Sequence, residues 1–260
     1  MSSVGAIRDA RKSVEELTAA LAAMEARDLP GLRDALQAPE KPRDLNSSAG
    51  ATRLFRGHVE LLLLRYSLGE DVSALAKLFP ELVSVWELKL EFDRAGLDKA
   101  QLGRAHNYAA NRDIYQFASW MVCLGILLEA SQEDFDRVVA SVQGVDDRVL
   151  DRLIASRVPG HPISETVLWP KPFALLEAAL DAPEEQRPAS MLKFVKAWYT
   201  QSRKVYWWGY DTLSPEVAAK YFGYWCVEAA AAVAAFDIDD SVLVGNEYYP
   251  ADLVPARWKA

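Results

Sequence analysis

Apolar positions recur three and four residues apart along most of this chain, and almost nowhere alternate with polar ones. The pattern predicts an amphipathic helix over Ala6–Arg27, with Ile7, Val14, Leu17, Leu21 and Met24 on one side. Arg53–Leu68 reads as a second helix, stopped at Gly69, where a left-handed cap suits glycine. Asp71–Phe79 and Glu81–Ala95 follow, with Pro80 at the start of the latter. The apolar stretch from Asp98 to about Ala130 predicts one long helix or a kinked pair, and Gln132–Gln143 and Asp146–Ser156 predict two short helices joined at Gly144. Ser164–Leu180 is helical by pattern, with Pro170 and Pro172 interrupting its start. Ala189–Gln201 is another helix. Pro215 opens a last long one that carries the stretch from Lys220 onward. No run of alternating β-branched residues and no Asn-Gly or Asp-Gly turn breaks this reading. The expected fold is all-α: an antiparallel multi-helix bundle of about ten helices, without significant sheet.

Two breaker clusters punctuate the pattern. Ala38–Ala49 holds Pro39, Pro42 and Asn46-Ser47-Ser48 and reads as a polar linker. Arg157–Pro162, RVPGHP, reads as the boundary between an N-terminal helical region, 1–157, and a C-terminal one, 163–260, packed as one unit. No fixed period repeats, so a regular solenoid is not expected.

Charge sharpens the picture. The 260 residues are 51% hydrophobic and 25% charged, with a net charge of −8. Nucleic acid as a direct partner is disfavoured, because phosphate binding needs a basic stripe and no dense Lys/Arg cluster occurs. The acids are unevenly spread. Glu129–Asp151 holds seven acids against two bases, and Tyr206–Asp252 holds eight against Lys220 alone. Such a surface steers a basic partner. No apolar run approaches the roughly 20 residues that span a membrane. The N-terminal segment carries charges where a secretion signal would be hydrophobic, so a reduced, cytoplasmic protein without membrane contact is expected.

Candidate chemistry is sparse. His58, His106 and His161 are far apart and not in ligand spacing; Cys123 and Cys226 make neither a zinc pattern nor a disulfide framework. No metal or cofactor is expected. A nucleophilic pairing of Cys226 with His106 competes with the reading of Cys226 as a small buried hydrophobe. The Trp/Tyr-rich segment 196–211 could cage a ligand or fill the core. Glu228 sits between the aromatics Tyr221–Trp225 and a run of alanines. Taken as one helix, Tyr221, Trp225, Glu228 and Ala232 share a stripe, which turns Glu228 inward as a structural carboxylate that needs a tyrosine, indole or cationic partner. Catalytic residues are not expected.

Several elements occur in a telling order: Tyr221, Gly223-Tyr224-Trp225, Glu228-Ala229-Ala230-Ala231, Ile238-Asp239-Asp240-Ser241, then Tyr248-Tyr249-Pro250 and Asp252-Leu253. Together they resemble the C-terminal signature of the PoNi family, immunity proteins of polymorphic nuclease toxins. Trp198-Tyr199 and Trp207 are similar to the helix before that signature, and Tyr66-Ser67-Leu68-Gly69-Glu70 with Trp86 resembles the family's first domain. The chain departs from the pattern at Cys226-Val227, where the family often carries another aromatic.

The resemblance implies an all-helical antitoxin without catalysis of its own. It implies protein–protein interaction with a cognate DNase toxin, often delivered by type VI secretion, whose active or DNA-binding site is occluded. Tyr221, Gly223, Tyr224, Trp225, Glu228, Tyr249 and Pro250 then form a structural signature. The surface acids Asp211, Asp237, Asp239, Asp240 and Glu247 become the expected partner-binding set, joined by acids of Glu129–Asp151. Exposed aromatics would also offer a homodimer face. The rival readings are an acidic helical scaffold or regulator of another basic partner, and an enzyme with an aromatic-lined cleft.

Overall fold

The computed structural model describes residues 6–25, 29–38, 42–213, 216 and 219–258. Among them the regular structure is helical, with no strand. The helices are α1 (Val14–Ala23), α2 (Leu29–Gln37), α3 (Leu45–Ser67), α4 (Val72–Ala76), α5 (Phe79–Gly96), α6 (Lys99–Ala105), α7 (Arg112–Leu127), α8 (Gln132–Ser141), α9 (Arg148–Ala155), α10 (Pro170–Asp181), α11 (Arg187–Gln201) and α12 (Val227–Phe236), with a terminal turn at Pro255–Trp258. No helix among the described residues is long and apolar enough to cross a membrane. The chain divides into two compact units, Met1–Asn107 with Gly209–Gly223, and Tyr108–Trp208 with Tyr224–Ala260. The Arg157–Pro162 breaker cluster lies inside the second.

Local chemistry moves several boundaries from where periodicity puts them. The first helix starts at Val14 rather than Ala6, because Ser13 and Glu16 form a reciprocal capping box there. Residues 6–12 run outside it. Of the expected linker Ala38–Ala49, residues 39–41 with Pro39 lie outside the described residues, and 45–49 are helical. Asp44 caps α3 by accepting from Ser47 N at 2.8 Å, while Ser47 Oγ accepts from Asp44 N at 2.8 Å. Asn46-Ser47-Ser48 therefore lies in a first helical turn. Of the two alternatives for Asp98–Ala130, one long helix or a kinked pair, the structure has two helices, since Asn111 accepts from Ile114 N at 3.3 Å and restarts the chain as α7. Residues 164–169 are not helical, and α10 begins at Pro170. The residue before a proline is pushed to extended backbone, and Lys171 lies at φ −102°, ψ 114°.

The largest correction concerns the final helix. Pro215 lies outside the described residues. Tyr221–Cys226 is not helical, and α12 starts only at Val227. The helical stripe through Tyr221, Trp225 and Glu228 does not exist. Gly223 takes φ +108°, a turn that other residues rarely adopt. Bulky aromatics are also poor helix formers beside the alanines that follow.

In the first unit, α3 packs closely on α5, with α1 and α2 laid against α3. Gly96 ends α5 where a Cβ would stand 2.6 Å from the Asp44 carbonyl oxygen, so the start of α3 and the end of α5 touch through backbone. A polar knot lies inside. Asp93, 1% exposed, accepts from Ser48 Oγ at 2.5 Å, Lys89 Nζ at 2.6 Å and His106 Nε2 at 2.8 Å. Burial pushes the Asp93 carboxyl up, but these donors outweigh it and hold it below the ordinary range. The returning segment 209–223 is tied in twice: Tyr221 OH donates to buried Asp9, and Ser67 Oγ donates to Phe222 O at 2.9 Å.

His58 of α3 is a packing histidine with a pH signature. Its Nδ1 faces Leu54 O at 2.8 Å and its Nε2 faces Arg33 Nη2 at 2.9 Å. Those partners assign a neutral ring, donating from Nδ1 and accepting at Nε2. Burial holds its pKa below the ordinary value, opposed by the Leu54 carbonyl and helped by the Arg33 charge. The unfolded chain, at about 6.5, binds the proton more readily. The stability contributed by the neutral ring is full above that value and is lost as pH falls from it through the lower folded value. Urea unfolding of wild type and His58→Gln between about pH 7 and pH 5 is expected to show wild type losing more. Parallel curves would remove His58 from this account.

Candidate functional site

The second unit is organised around α7, nearly all of which is buried, with α8, α9 and α12 packed on it and α10–α11 forming a close pair. Alanine makes α12 thin, so its neighbours approach on all sides, and Val227–Val233 is buried throughout. Its one acid, Glu228, is 0% exposed in the first turn, where the helix dipole favours negative charge. Gln116 Nε2 of α7 donates to Glu228 Oε1 at 2.6 Å. One turn earlier, Arg112 supplies the countercharge, its guanidinium 5.1, 5.3 and 4.9 Å from the rings of Tyr115, Trp169 and Phe173. Among the described residues, the terminal nitrogens of Arg112 and Glu228 Oε2 are buried without a hydrogen bond. Burial pushes Glu228 above the ordinary carboxylate value, against the Gln116 bond and the Arg112 charge; the Trp198 indole N–H faces it without meeting hydrogen-bond geometry. Glu228 is thus buried with a hydrogen-bond donor, and Gln116 was not legible as that donor.

The other candidates for chemistry are occupied. Burial pushes the thiols of Cys123 and Cys226 well up, away from reactive thiolates. His106 is bound to Asp93. The aromatic segment is core: Trp198 and Trp207 are each 1% exposed and stack at 5.2 Å, and Tyr199 stacks on Trp208 at 5.7 Å. Among the described residues, no three His, Cys, Asp or Glu side chains are grouped to hold a metal.

The signature residues from Tyr224 onward lie in this interior. Tyr224, 2% exposed, lies 4.8 Å from Tyr199 and 5.5 Å from Trp207. Trp225, Tyr249 and Pro250 are buried. Cys226 N donates to Tyr248 O at 2.8 Å, and Tyr248 stacks on Tyr199 at 5.3 Å.

Four acids of the second unit, Glu129, Asp237, Asp239 and Asp240, line a groove of about 580 Å³. Asp237 caps the end of α12 in left-handed backbone, φ 49°. Asp239 accepts from Ser241 N at 2.9 Å and from its hydroxyl at 3.0 Å. Asp240 accepts from Tyr249 OH at 2.9 Å and from Arg257 Nη2 at 2.5 Å. Glu129, beyond the end of α7 at φ 48°, completes the set, while Ile126, Val233, Ile238 and Val254 supply an apolar floor. Three sequence-predicted acids, Asp237, Asp239 and Asp240, thus share one concavity with Glu129. Glu247 is exposed but does not line it. Asp211 belongs to the first unit, where it lines a separate groove with Lys12, Glu16 and Tyr221. Arg157 and Arg257, which also line the acidic groove, gave no sign in the sequence pattern.

Among solved structures, the crystal structure of protein PA2201 from Pseudomonas aeruginosa matches with a TM-score of 0.63 at 23% identity, covering 97% of this chain and 92% of that chain. This likeness speaks to the fold alone. No curated protein sequence matches. Two family models cover nearly the whole chain: PoNe immunity protein (PoNi), N-terminal, over residues 10–140, and PoNe immunity proteins (PoNi), C-terminal, over residues 145–253. The signature that runs from Tyr221 to Leu253, which places Tyr224, Trp225 and Glu228 in the interior of the second unit, falls within the second of these, and the chain belongs to the PoNe immunity protein family.

Proposed function

We propose that this immunity protein neutralises a cognate PoNe nuclease toxin by binding it directly and covering its active or DNA-binding site. The observation that carries the reading is the acidic groove of the second unit. A nuclease holds phosphates with cationic side chains, and a carboxylate-lined surface presents the matching charge. The protein acts by occupancy, without chemistry of its own and without a cofactor, DNA or membrane. It works in the cytoplasm of a cell exposed to such toxins, in the setting of type VI secretion. The surface carboxylates Asp211, Asp237, Asp239, Asp240 and Glu247 serve recognition, by steering association and, where they line the groove, by holding the bound partner.

The test is to convert these five to Asn or Gln together and measure association with inactivated toxin at two ionic strengths, after checking the melting temperature. The association rate is expected to fall about tenfold or more at low salt, with a shallower salt dependence. An unchanged rate and slope in a folded variant would reduce these acids to a solvated surface. A wild-type protein that fails to bind any PoNe toxin would overturn the reading itself.

A further inference from the structure

The acidic groove already holds a guanidinium. Arg257, from the terminal turn, donates Nη2 to Asp240 at the rim. The second cation of the lining is committed elsewhere: Arg157 spans the carbonyls of Gly125 at 2.9 Å and Ala130 at 2.7 Å, and lies 4.3 Å from the Phe135 ring centre. Four carboxylates, Glu129, Asp237, Asp239 and Asp240, thus face two guanidiniums. Three helices also end beside the groove, α7 at Leu127, α9 at Ala155 and α12 at Phe236. Their last carbonyls add partial negative charge. Between the acids the floor is apolar.

A carboxylate rim over an apolar floor suits one kind of guest: a long side chain with an aliphatic stem and a cationic head. Arginine fits better than lysine, because its planar fork pairs with two carboxylate oxygens and its weakly hydrated head is cheaper to bury. We infer that the groove receives an arginine side chain of the toxin, with Asp237 and Asp239 as its principal partners and Arg257 as an internal competitor at Asp240. The inference rests on the reading that this protein binds a PoNe toxin. The guest's head lies among the acids and its stem on Val233 and Ile238. Arg257 shifts from Asp240 as the guest enters, so one guanidinium replaces another. The protein therefore protects its own acidic rim when no toxin is present.

The probe is the inactivated cognate toxin, titrated against four variants after their melting temperatures have been checked. Asp237→Asn with Asp239→Asn removes two charges while keeping the left-handed cap and the Ser241 turn, both of which asparagine supports. It is expected to weaken binding about tenfold or more, mainly through faster dissociation that persists at high salt. Glu184→Gln with Glu185→Gln removes two exposed acids away from the groove and is expected to change only the association rate. Arg257→Ala is expected to tighten binding about threefold or more by removing the competitor. Arg137→Ala removes the same charge outside the groove and is expected not to tighten it. A double-mutant cycle completes the test: one toxin Arg→Ala substitution should lose its effect in the Asp237/Asp239 variant. Equal effects of the two acid pairs, or equal effects of the two arginine variants, would overturn the groove while leaving toxin binding intact. Failure of the wild-type protein to bind would overturn the underlying reading instead.

Discussion

Glu228→Ala is expected to destabilise the second unit by about 3–5 kcal/mol, the range for removing one member of a buried charged pair. The substitution deletes the acceptor of Gln116 Nε2 and leaves Arg112, 6% exposed, among aromatic rings without its facing charge. At about 2–4 °C per kcal/mol for a chain of this size, the melting temperature should fall by roughly ten degrees. Glu228→Gln keeps the volume and the carbonyl oxygen, and is expected to cost less. It should also change the pH profile. The folded carboxyl titrates above its unfolded value, so wild type loses stability as pH rises through the window that begins at the ordinary glutamate value. The Gln variant lacks that slope. Thermal melts at several pH values decide the matter. An alanine variant that melts like wild type but no longer neutralises toxin would make Glu228 a functional group instead.

Truncation before Tyr248 is expected to do at least as much damage. Tyr249, Leu253 and Val254 are 3%, 0% and 7% exposed, and burying such side chains contributes about 1.5–3 kcal/mol each. The cut also removes the Tyr248 carbonyl that accepts from Cys226 N at the start of α12, and strips Tyr249 and Arg257 from Asp240. The summed loss rivals the whole stability of an ordinary domain. Urea unfolding of the residue 1–247 chain should show a lost or strongly shifted transition. A midpoint equal to that of the full chain would mean that this tail is ornament.

The helices were legible in the sequence because each carries enough apolar positions at helical spacing to declare a buried face. Their ends were less so. Asp44 and Ser13 set two of them through reciprocal capping boxes and Asn111 a third through one side-chain bond, which a periodicity cannot weigh. Glu228 was legible as an inward carboxylate, though by a wrong route. The stripe that pointed to its burial dissolves at Gly223, and the alanine run alone was the sound part of the argument. Arg112 and Gln116 stood more than a hundred positions away from it, on an apolar helix that looked like plain core. The acids Asp237, Asp239 and Asp240 were visible as charge, but their shared concavity depends on where α7, α9 and α12 end, which is a property of packing.

The return of residues 209–223 to the first unit has a consequence for biosynthesis. A ribosome that has released the first 107 residues has supplied most of that unit but not its last piece. Ser67 waits for the Phe222 carbonyl and Asp9 for the Tyr221 hydroxyl. The first half to emerge therefore remains incomplete until more than a hundred further residues have been made, and its exposed apolar surface is a target for chaperones in that interval. For a protein whose value lies in being present before its toxin arrives, the delay sets a lower bound on how quickly newly made antitoxin becomes protective.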